Sequence, residues 1–218
     1  MNGDAFQLLV ERGEVVAVRA ALAADAGLAN RRIRWHLNQD NESDPLHYVS
    51  DCVGNNGLSD ATAAAIAGAL LDAGAELEGS AGSEPPLIAA ASLGAEAVAG
   101  VLIAAGANIE AHAIFGARAL HWAAWTGALR TVERLVAVGA ELEPICTRFG
   151  ATPLFWAVHG YGPHGPKQKQ DQLAAARCLI DAGARAQVSN KHGLSAIELA
   201  KSCARDDMYV LLRDACDA

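Results

Sequence analysis

The residues of this chain with the best potential for chemistry are histidines, a tyrosine and a cysteine. His159, Tyr161 and His164 lie close together, and Cys52 lies in another predicted loop. Such groups act in catalysis only within hydrogen-bond reach, and nothing in the sequence brings these four together. The chain has no His-Glu-x-x-His motif, glycine-rich phosphate loop or Gly-x-Ser-x-Gly motif. The sequence therefore predicts a protein that is not an enzyme and that holds no metal or cofactor.

Cysteine usage and the N-terminal residues indicate a reducing compartment. The five cysteines are scattered and form no Cys-x-x-Cys pair, a pattern typical of free thiols and not of a zinc or disulfide framework. The first residues lack the basic start, apolar run and cleavage site of a secretory signal. We therefore expect a cytoplasmic protein.

Composition and charge narrow the classes of protein. Hydrophobic residues make up 52% of the 218 residues and aromatic residues only 5%, which favours alanine-rich helices over β-sheets. The net charge of −8 argues against general nucleic-acid binding and makes a basic partner easier to accommodate. Residues 87–107 carry one charge, but Gly94 divides them, so we predict a buried helical hairpin and no membrane span. The glycine- and alanine-rich composition suggests a bacterial chain.

The elements that must position these side chains recur along the chain. A leucine opens each unit and a Gly-Ala pair closes it: Leu46 and Gly74, Leu87 and Gly106, Leu120 and Gly139, Leu154 and Gly183. The glycine follows the leucine by 19 positions in the second and third units, but by 28 and 29 positions in the first and fourth. Self-similarity of this kind indicates a repeat architecture.

The two longer units predict insertions, which we place around residues 51–57 and 160–170. Three glycines and two prolines in the second insertion predict an exposed loop. Charged hairpins at both ends of the chain predict terminal caps. The predicted organisation is a single domain, 1–218, with an N-terminal cap at 4–40, a repeat with an insertion at 41–80, repeats at 81–113 and 114–146, a repeat with an insertion at 147–190 and a C-terminal cap at 191–218.

Two segments and a turn resemble ankyrin repeats: Thr152-Pro153-Leu154-Phe155-Trp156-Ala157, Leu120-His121-Trp122-Ala123-Ala124 with Gly127, and Gly139-Ala140. The resemblance covers residues 4 to 216. It implies an all-α fold, an ankyrin-repeat solenoid of stacked helix-turn-helix hairpins with projecting β-turn fingers. It also implies that His47 and His121 are structural, because the histidine at this position ordinarily bonds the backbone of the neighbouring turn.

The same resemblance implies which residues face a partner. The fingers and the first helix of each repeat form a concave surface, whose variable helical positions correspond to Tyr48, Asp51, Ala89, Ser92, Trp122, Trp125, Trp156 and His159. Three of these are tryptophans on adjacent first helices, and tryptophan is enriched where binding energy concentrates. Trp122 or Trp156 alone is equally compatible with a core position. As a set, the tryptophans predict a contact surface or a pocket.

Glutamates recur just after the Gly-Ala pairs, at Glu76, Glu78, Glu110, Glu141 and Glu143. Charges on turns are usually solvated. Repeated on three successive fingers, however, they predict an acidic rim that steers a basic partner.

The leading hypothesis is a monomeric protein–protein interaction module. It binds a basic protein through the aromatic concave face and the acidic fingers, and an inhibitor or immunity protein is one form it can take. The alternative is a small-molecule-binding protein or enzyme with a pocket near Trp125, Trp156, His159 and the 160–173 loop, because both predicted insertions lie between the helices of a repeat. A third interpretation treats the insertions as neutral surface loops. The fold supports binding only as a general expectation.

Overall fold

Helices dominate the computed structural model, which describes residues 3–34, 41–162 and 171–217. The prediction of an all-α repeat fold is confirmed. The helices in the described residues are α1 Gly3–Glu11, α2 Val15–Ala24, α3 Pro45–Asn56, α4 Asp60–Asp72, α5 Pro86–Ser92, α6 Glu96–Ala104, α7 Ala119–Thr126, α8 Leu129–Ala137, α9 Pro153–Gly160, α10 Gln172–Asp181, α11 Ala196–Ser202 and α12 Asp206–Cys216. Two 3-10 segments, Ala26–Asn30 and Ile114–Gly116, and an antiparallel ribbon of β1 (Ile33–Arg34) and β2 (Glu42–Ser43) accompany them.

Glycine and proline set the boundaries of the hairpins. Gly13, Gly94 and Gly127 have φ angles of 69°, 67° and 74° in the short turns within the α1–α2, α5–α6 and α7–α8 hairpins. Glycine adopts this left-handed conformation without the steric cost that a Cβ brings. Prolines occupy the first residue of α3, α5 and α9, where a helix needs no amide donor.

The chain divides into two compact units, Met1–Asn108 and Ile109–Ala218. Within the first unit, α3 packs between α1 and α5, and α4 packs between α2 and α6. Within the second unit, α9 packs between α7 and α11, and α10 packs between α8 and α12. First helices therefore stack on first helices and second helices on second helices, as repeats require to bury their apolar faces. The predicted single domain and its repeat boundaries stay predictions.

The first predicted insertion is not a loop. Helix α3 continues through residues 51–56 and ends at Gly57, whose φ is 73°. Gly54 suggests a turn in the sequence, but it serves close packing, because a Cβ there would lie 2.7 Å from Cδ2 of Leu93. Cys52, one turn before the end of the helix, is fully buried. The extra residues lengthen the helix instead of projecting from the repeat.

The second predicted insertion follows α9. The helix ends at Gly160, and Tyr161 and Gly162 continue the chain at its C-terminal end. Residues 163–170, which include His164, lie outside the described residues, as do residues 35–40. The loop predicted at 160–173 therefore has described residues only at its two ends.

Two helix N-termini differ in their capping. Serine is a favoured N-cap residue, and Ser59 caps α4, since its Oγ accepts a hydrogen bond from Thr62 N at 3.2 Å. Aspartate is also a favoured N-cap residue, so the sequence favours Asp206 as the cap of the last helix, but Asp206 is the first residue of α12 and Arg205 holds the cap position. In the described part of the chain, no helix combines the length and apolarity that a bilayer crossing requires.

Candidate interaction surface

Three tryptophans on α7 and α9 are in mutual contact. The ring centroids of Trp122 and Trp125 lie 6.0 Å apart, and those of Trp122 and Trp156 lie 5.0 Å apart. Both pairs have an edge-to-face arrangement, with interplanar angles of 89° and 78°. This geometry matches the positive edge of one ring to the negative face of the next. The tryptophans on adjacent first helices therefore form one connected group.

Two phenylalanines extend this group onto the fingers. Phe115 lies on the finger before α7, with its ring 6.4 Å from that of Trp122. Phe149 lies on the finger before α9, with its ring 5.9 Å from Trp156 and 5.8 Å from Phe115. We call these five residues the aromatic cluster. Sequence reasoning missed both phenylalanines, although each precedes a glycine, at Gly116 and Gly150.

Burial decreases along the aromatic cluster from the helices to the fingers. Trp156 is only 6% exposed and Trp125 is half-buried, whereas Phe149 is 41% exposed. Two isoleucines on the same fingers, Ile114 and Ile145, are 58% and 52% exposed. Apolar side chains are therefore open to solvent at the finger end, and the inner end of the aromatic cluster is anchored in the core of the unit.

His121 fixes the finger before α9 to helix α7. Its Nδ1 accepts the backbone N–H of Arg118 at 3.1 Å, and its Nε2 lies 3.1 Å from the carbonyl oxygen of Ala151, to which it donates. The imidazole is fully buried, and burial lowers the pKa of His121 to about 4. It is therefore a neutral, structural histidine, as predicted. Its ring also packs edge-on against Trp156, with centroids 5.4 Å apart.

Phe115 has an unusual backbone conformation. Its φ and ψ are 67° and 6°, and the following Gly116 also has a positive φ, of 63°. Two successive residues of this kind form a turn that normally takes asparagine, aspartate or glycine first. An aromatic side chain is disfavoured there by roughly 1–2 kcal/mol. Arg148 of the next finger covers the ring, with its guanidinium carbon 5.6 Å from the centroid.

Three of the predicted rim glutamates hold successive fingers together. Glu78 accepts the N–H of Asn108 at 2.7 Å, Glu110 that of Glu141 at 2.9 Å, and Glu143 that of Arg185 at 2.7 Å. Each acceptor lies four positions after the glycine of its Gly-Ala pair, so this register was visible in the sequence. Each carboxylate accepts the backbone N–H of the residue that follows the next Gly-Ala pair along the chain.

The other two rim glutamates, Glu76 and Glu141, directly follow Gly-Ala pairs. Glu141 shares Arg118 with Glu110, and Glu76 donates its backbone N–H to Asn30 Oδ1 at 2.7 Å. Both glutamates are exposed. The carboxylates of Glu78, Glu110, Glu141 and Glu143 thus already have bonds within the chain, and the role of the rim toward a partner stays a prediction.

The structure places Tyr48 in the interior of the first unit. Its side chain is 4% exposed, and its hydroxyl donates to Glu11 and accepts from Gln7 Nε2 at 3.0 Å. Burial and the hydrogen bond to Glu11 raise the pKa of Tyr48. These partners come from α1, which no local pattern in α3 could reveal. Partner binding by Tyr48 stays a prediction.

Asp51 is also buried, at 5% exposure, one turn after His47 on α3. Its Oδ2 lies 3.5 Å from His47 Nε2, and His47 Nδ1 lies 3.3 Å from the carbonyl oxygen of Glu84. Burial raises the pKa of Asp51 to about 6, His47 opposes this shift, and the nearby Glu84 carboxylate adds to it. Desolvation thus determines the charge of this carboxyl, and its contact with a partner stays a prediction.

The groups considered for catalysis have different surroundings. His159 and Tyr161 are exposed, whereas Cys52 is fully buried in the first unit. A shallow depression beside Tyr161 and Gly162 is otherwise lined by Cys203–Asp207, and it includes none of Trp125, Trp156 and His159. Within the described ranges, no three histidine, cysteine, aspartate or glutamate side chains are arranged to hold a metal ion.

Comparison with known protein families decides the nature of the repeats. Residues 87–166 match the family model of ankyrin repeats (3 copies). Residues 87–166 are therefore ankyrin repeats. The matched residues run from Leu87 in α5 past the end of α9 and thus include every member of the aromatic cluster. No curated protein matches the chain. Ankyrin repeats are generally protein–protein interaction modules, which makes a protein the expected partner.

Proposed function

We propose that this protein binds a protein partner through the finger side of residues 109–218. The observation that carries the proposal is the aromatic cluster, which joins two successive ankyrin fingers and leaves Phe149 exposed. Ile114 and Ile145, on the same two fingers, are exposed as well. Large aromatic side chains at the centre of an apolar surface are typical of residues that dominate binding energy. The packing of exposed Phe149 against buried Trp156 holds the surface in a defined geometry before binding, which lowers the entropy lost on association.

The net charge of residues 1–108 supports a basic region in the partner. The net charge of residues 109–218 does not. Residues 1–108 contain 5 arginines and 14 aspartates and glutamates, a net charge of −9, whereas residues 109–218 have a net charge of +1. The acidic rim proposed to attract the partner therefore has its electrostatic support at Glu76 and Glu78. An inhibitory or immunity role toward a cationic protein belongs to this proposal and rests on charge alone. The monomeric state, the cytoplasmic location and the bacterial source stay predictions from the sequence.

The test of the docking surface uses exposed residues. Trp156 is unsuitable, because truncating a buried tryptophan costs about 3–5 kcal/mol of stability and confuses folding with binding. We therefore choose the double variant Ile114→Ser, Phe149→Ser. The control is Val138→Ser, which changes a residue that is 52% exposed at the C-terminal end of α8.

Proteins captured by the wild-type chain from an extract of its source cells are identified and purified, and their affinities are measured by titration calorimetry. We expect the double variant to bind the purified partner at least about tenfold more weakly, since hot-spot truncations cost about 2 kcal/mol or more. Val138→Ser should bind as the wild type does. Equal affinities for all three proteins would overturn the proposed surface. An affinity that falls with ionic strength for a basic partner supports the charge argument.

A further inference from the structure

The ends of the three fingers in the second unit lie side by side. The backbone N–H of Thr147 donates to Phe115 O at 2.8 Å, and that of Lys191 donates to Phe149 O at 3.3 Å. The Lys191 ammonium group also donates to the carbonyl oxygen of Arg148. We define the fingertip surface as Ile114, Phe115, Ile145, Arg148, Phe149 and Lys191. It is continuous with the aromatic cluster through Phe115 and Phe149.

The charges on these fingertips have one sign. Residues 111–117, 144–152 and 186–197 contain no aspartate or glutamate, while they include Arg148 and Lys191. The acidic residues of the same fingers lie nearer the second helices, where Glu110 and Glu143 bond to the neighbouring finger. Within the described part of the chain, neither Arg148 nor Lys191 forms an ion pair. Their positive charges are thus available to a carboxylate next to exposed apolar side chains.

Arg148 lies over an aromatic ring and also has donors for a carboxylate. Its guanidinium carbon lies 5.6 Å from the ring centroid of Phe115, which positions the cation over an aromatic face. Its planar group has donors that a carboxylate can accept in pairs. A basic segment would instead meet two like charges at this surface, which is unfavourable. The charge of the fingertips is therefore opposite to the net charge of the whole chain.

We infer that the fingertip surface binds a polypeptide segment that is acidic and carries large apolar side chains. The inference rests on the proposed function and assigns the chemistry of the partner at this site. Carboxylates of the segment pair with Arg148 and Lys191. Its apolar side chains cover Ile114, Ile145 and Phe149. The basic region proposed from the acidity of residues 1–108 is a separate feature of the partner.

The test is selection of a displayed random-peptide library on the immobilised full chain. Enriched peptides are synthesised with a fluorescent label, and their affinities are measured by anisotropy. We expect them to combine aspartate or glutamate with leucine, isoleucine or aromatic residues. Arg148→Glu and Phe149→Ser should each weaken their binding by about tenfold, the size expected for a charge-assisted pair or an apolar anchor.

Two controls separate a local effect from a general one. Arg177→Glu makes the same change of charge at an exposed position on α10, and Val138→Ser removes an apolar side chain elsewhere on the unit. Neither should change the affinity of the peptides. Selection on the Arg148→Glu chain should enrich fewer acidic peptides. Urea unfolding of each variant verifies that it is folded.

Each other result contradicts the inference in a distinguishable way. Enrichment of basic peptides that still depend on Phe149 overturns the acidic chemistry and leaves the proposed docking surface intact. Peptides that bind independently of both Arg148 and Phe149 overturn the location, and they also count against the proposed function. No enrichment over an unrelated immobilised protein overturns recognition of a linear segment, whereas the calorimetric test with the captured partner then decides the proposed function alone.

Discussion

At the scale of single residues, Phe115 combines an unfavourable backbone with a prominent side chain. Its φ of 67° disfavours any residue with a Cβ, yet its ring contacts Trp122, Phe149 and Arg148. Strained conformations persist where the surrounding structure enforces them, and they concentrate at functional sites. The conformation of Phe115 gives the fingertip an aromatic face next to Phe149. The strained residue thus lies in the surface that is proposed to bind the partner.

The variant Phe115→Gly separates the contribution of Phe115 to stability from its contribution to partner binding. Glycine removes about 1–2 kcal/mol of backbone strain, which offsets most of the packing lost with a half-buried ring. We expect the free energy of unfolding in urea to change by less than about 1 kcal/mol, while affinity for the partner falls. Phe149→Ala is the matched control, because its φ is not positive and it should lose stability as well as affinity. A large loss of stability in Phe115→Gly would mean that Phe115 is mainly structural.

The sequence predicted part of the aromatic cluster and could not predict the rest. Trp122, Trp125 and Trp156 lie on helices, so repeat register alone placed them on neighbouring elements. Phe115 and Phe149 lie on fingers, where no helical period indicates which way a side chain points. The recurring Phe-Gly pair, 34 residues apart, was the available signal. The burial of Tyr48 depends on a tertiary contact with α1, which its own helix does not encode.

At the scale of elements, the turn between α11 and α12 departs from the pattern of the other hairpins. Ala204 has a φ of 50°, whereas the turns at Gly13, Gly94 and Gly127 use glycine. A left-handed alanine costs about 1–2 kcal/mol relative to glycine. The terminal hairpin therefore contains a local conflict between sequence and backbone.

We predict that Ala204→Gly raises the free energy of unfolding by about 0.5–1 kcal/mol, after the larger entropy of unfolded glycine is taken into account. Urea unfolding measures this change. Glycine-to-alanine substitutions at two other left-handed positions show how large this change in free energy can be. Gly106→Ala, with open space around the new Cβ, should cost only the strain, whereas Gly127→Ala should cost more because its Cβ would lie 2.6 Å from Gln172 N. An unchanged or lower stability for Ala204→Gly would contradict the prediction.

The positions of glycine and proline made the helical hairpins predictable. The same reasoning explains why a loop was wrongly predicted around residues 51–57. Gly54 and Gly57 both suggested a break after Asp51. Only Gly57 has a left-handed φ, while Gly54 remains helical and allows Leu93 to approach. A sequence alone cannot distinguish a glycine that ends a helix in a turn from one that lets a neighbouring side chain pack closely against the helix. That distinction depends on the packing of α3 against α5.

At the scale of the whole molecule, the two units differ in titration as well as in charge. Burial raises the pKa of Asp51 from 3.8 to about 6, so its contribution to stability is present in full below pH 3.8 and is lost as pH rises through about 6. Burial lowers the pKa of His121 from 6.5 to about 4. Its contribution is therefore present in full above pH 6.5 and is lost as pH falls toward 4. The effect at His121 is on the order of 3 kcal/mol.

We predict that, between about pH 4 and pH 6.5, rising pH weakens residues 1–108 and strengthens residues 109–218. Hydrogen exchange with mass spectrometry, corrected for the intrinsic pH dependence of exchange, measures both units in one sample. Asp51→Asn should remove the pH dependence attributed to Asp51 in α3 and α4, and His121→Gln should do the same for His121 in α7 and α9. Each variant is the control for the other, because each should leave the opposite unit unchanged. Parallel responses of both units in the wild type, or a slope in α3 that survives Asp51→Asn, would show that other groups govern the titration. Opposite responses that the two variants abolish would instead establish that separate buried titratable groups, Asp51 and His121, govern the pH dependence of residues 1–108 and 109–218.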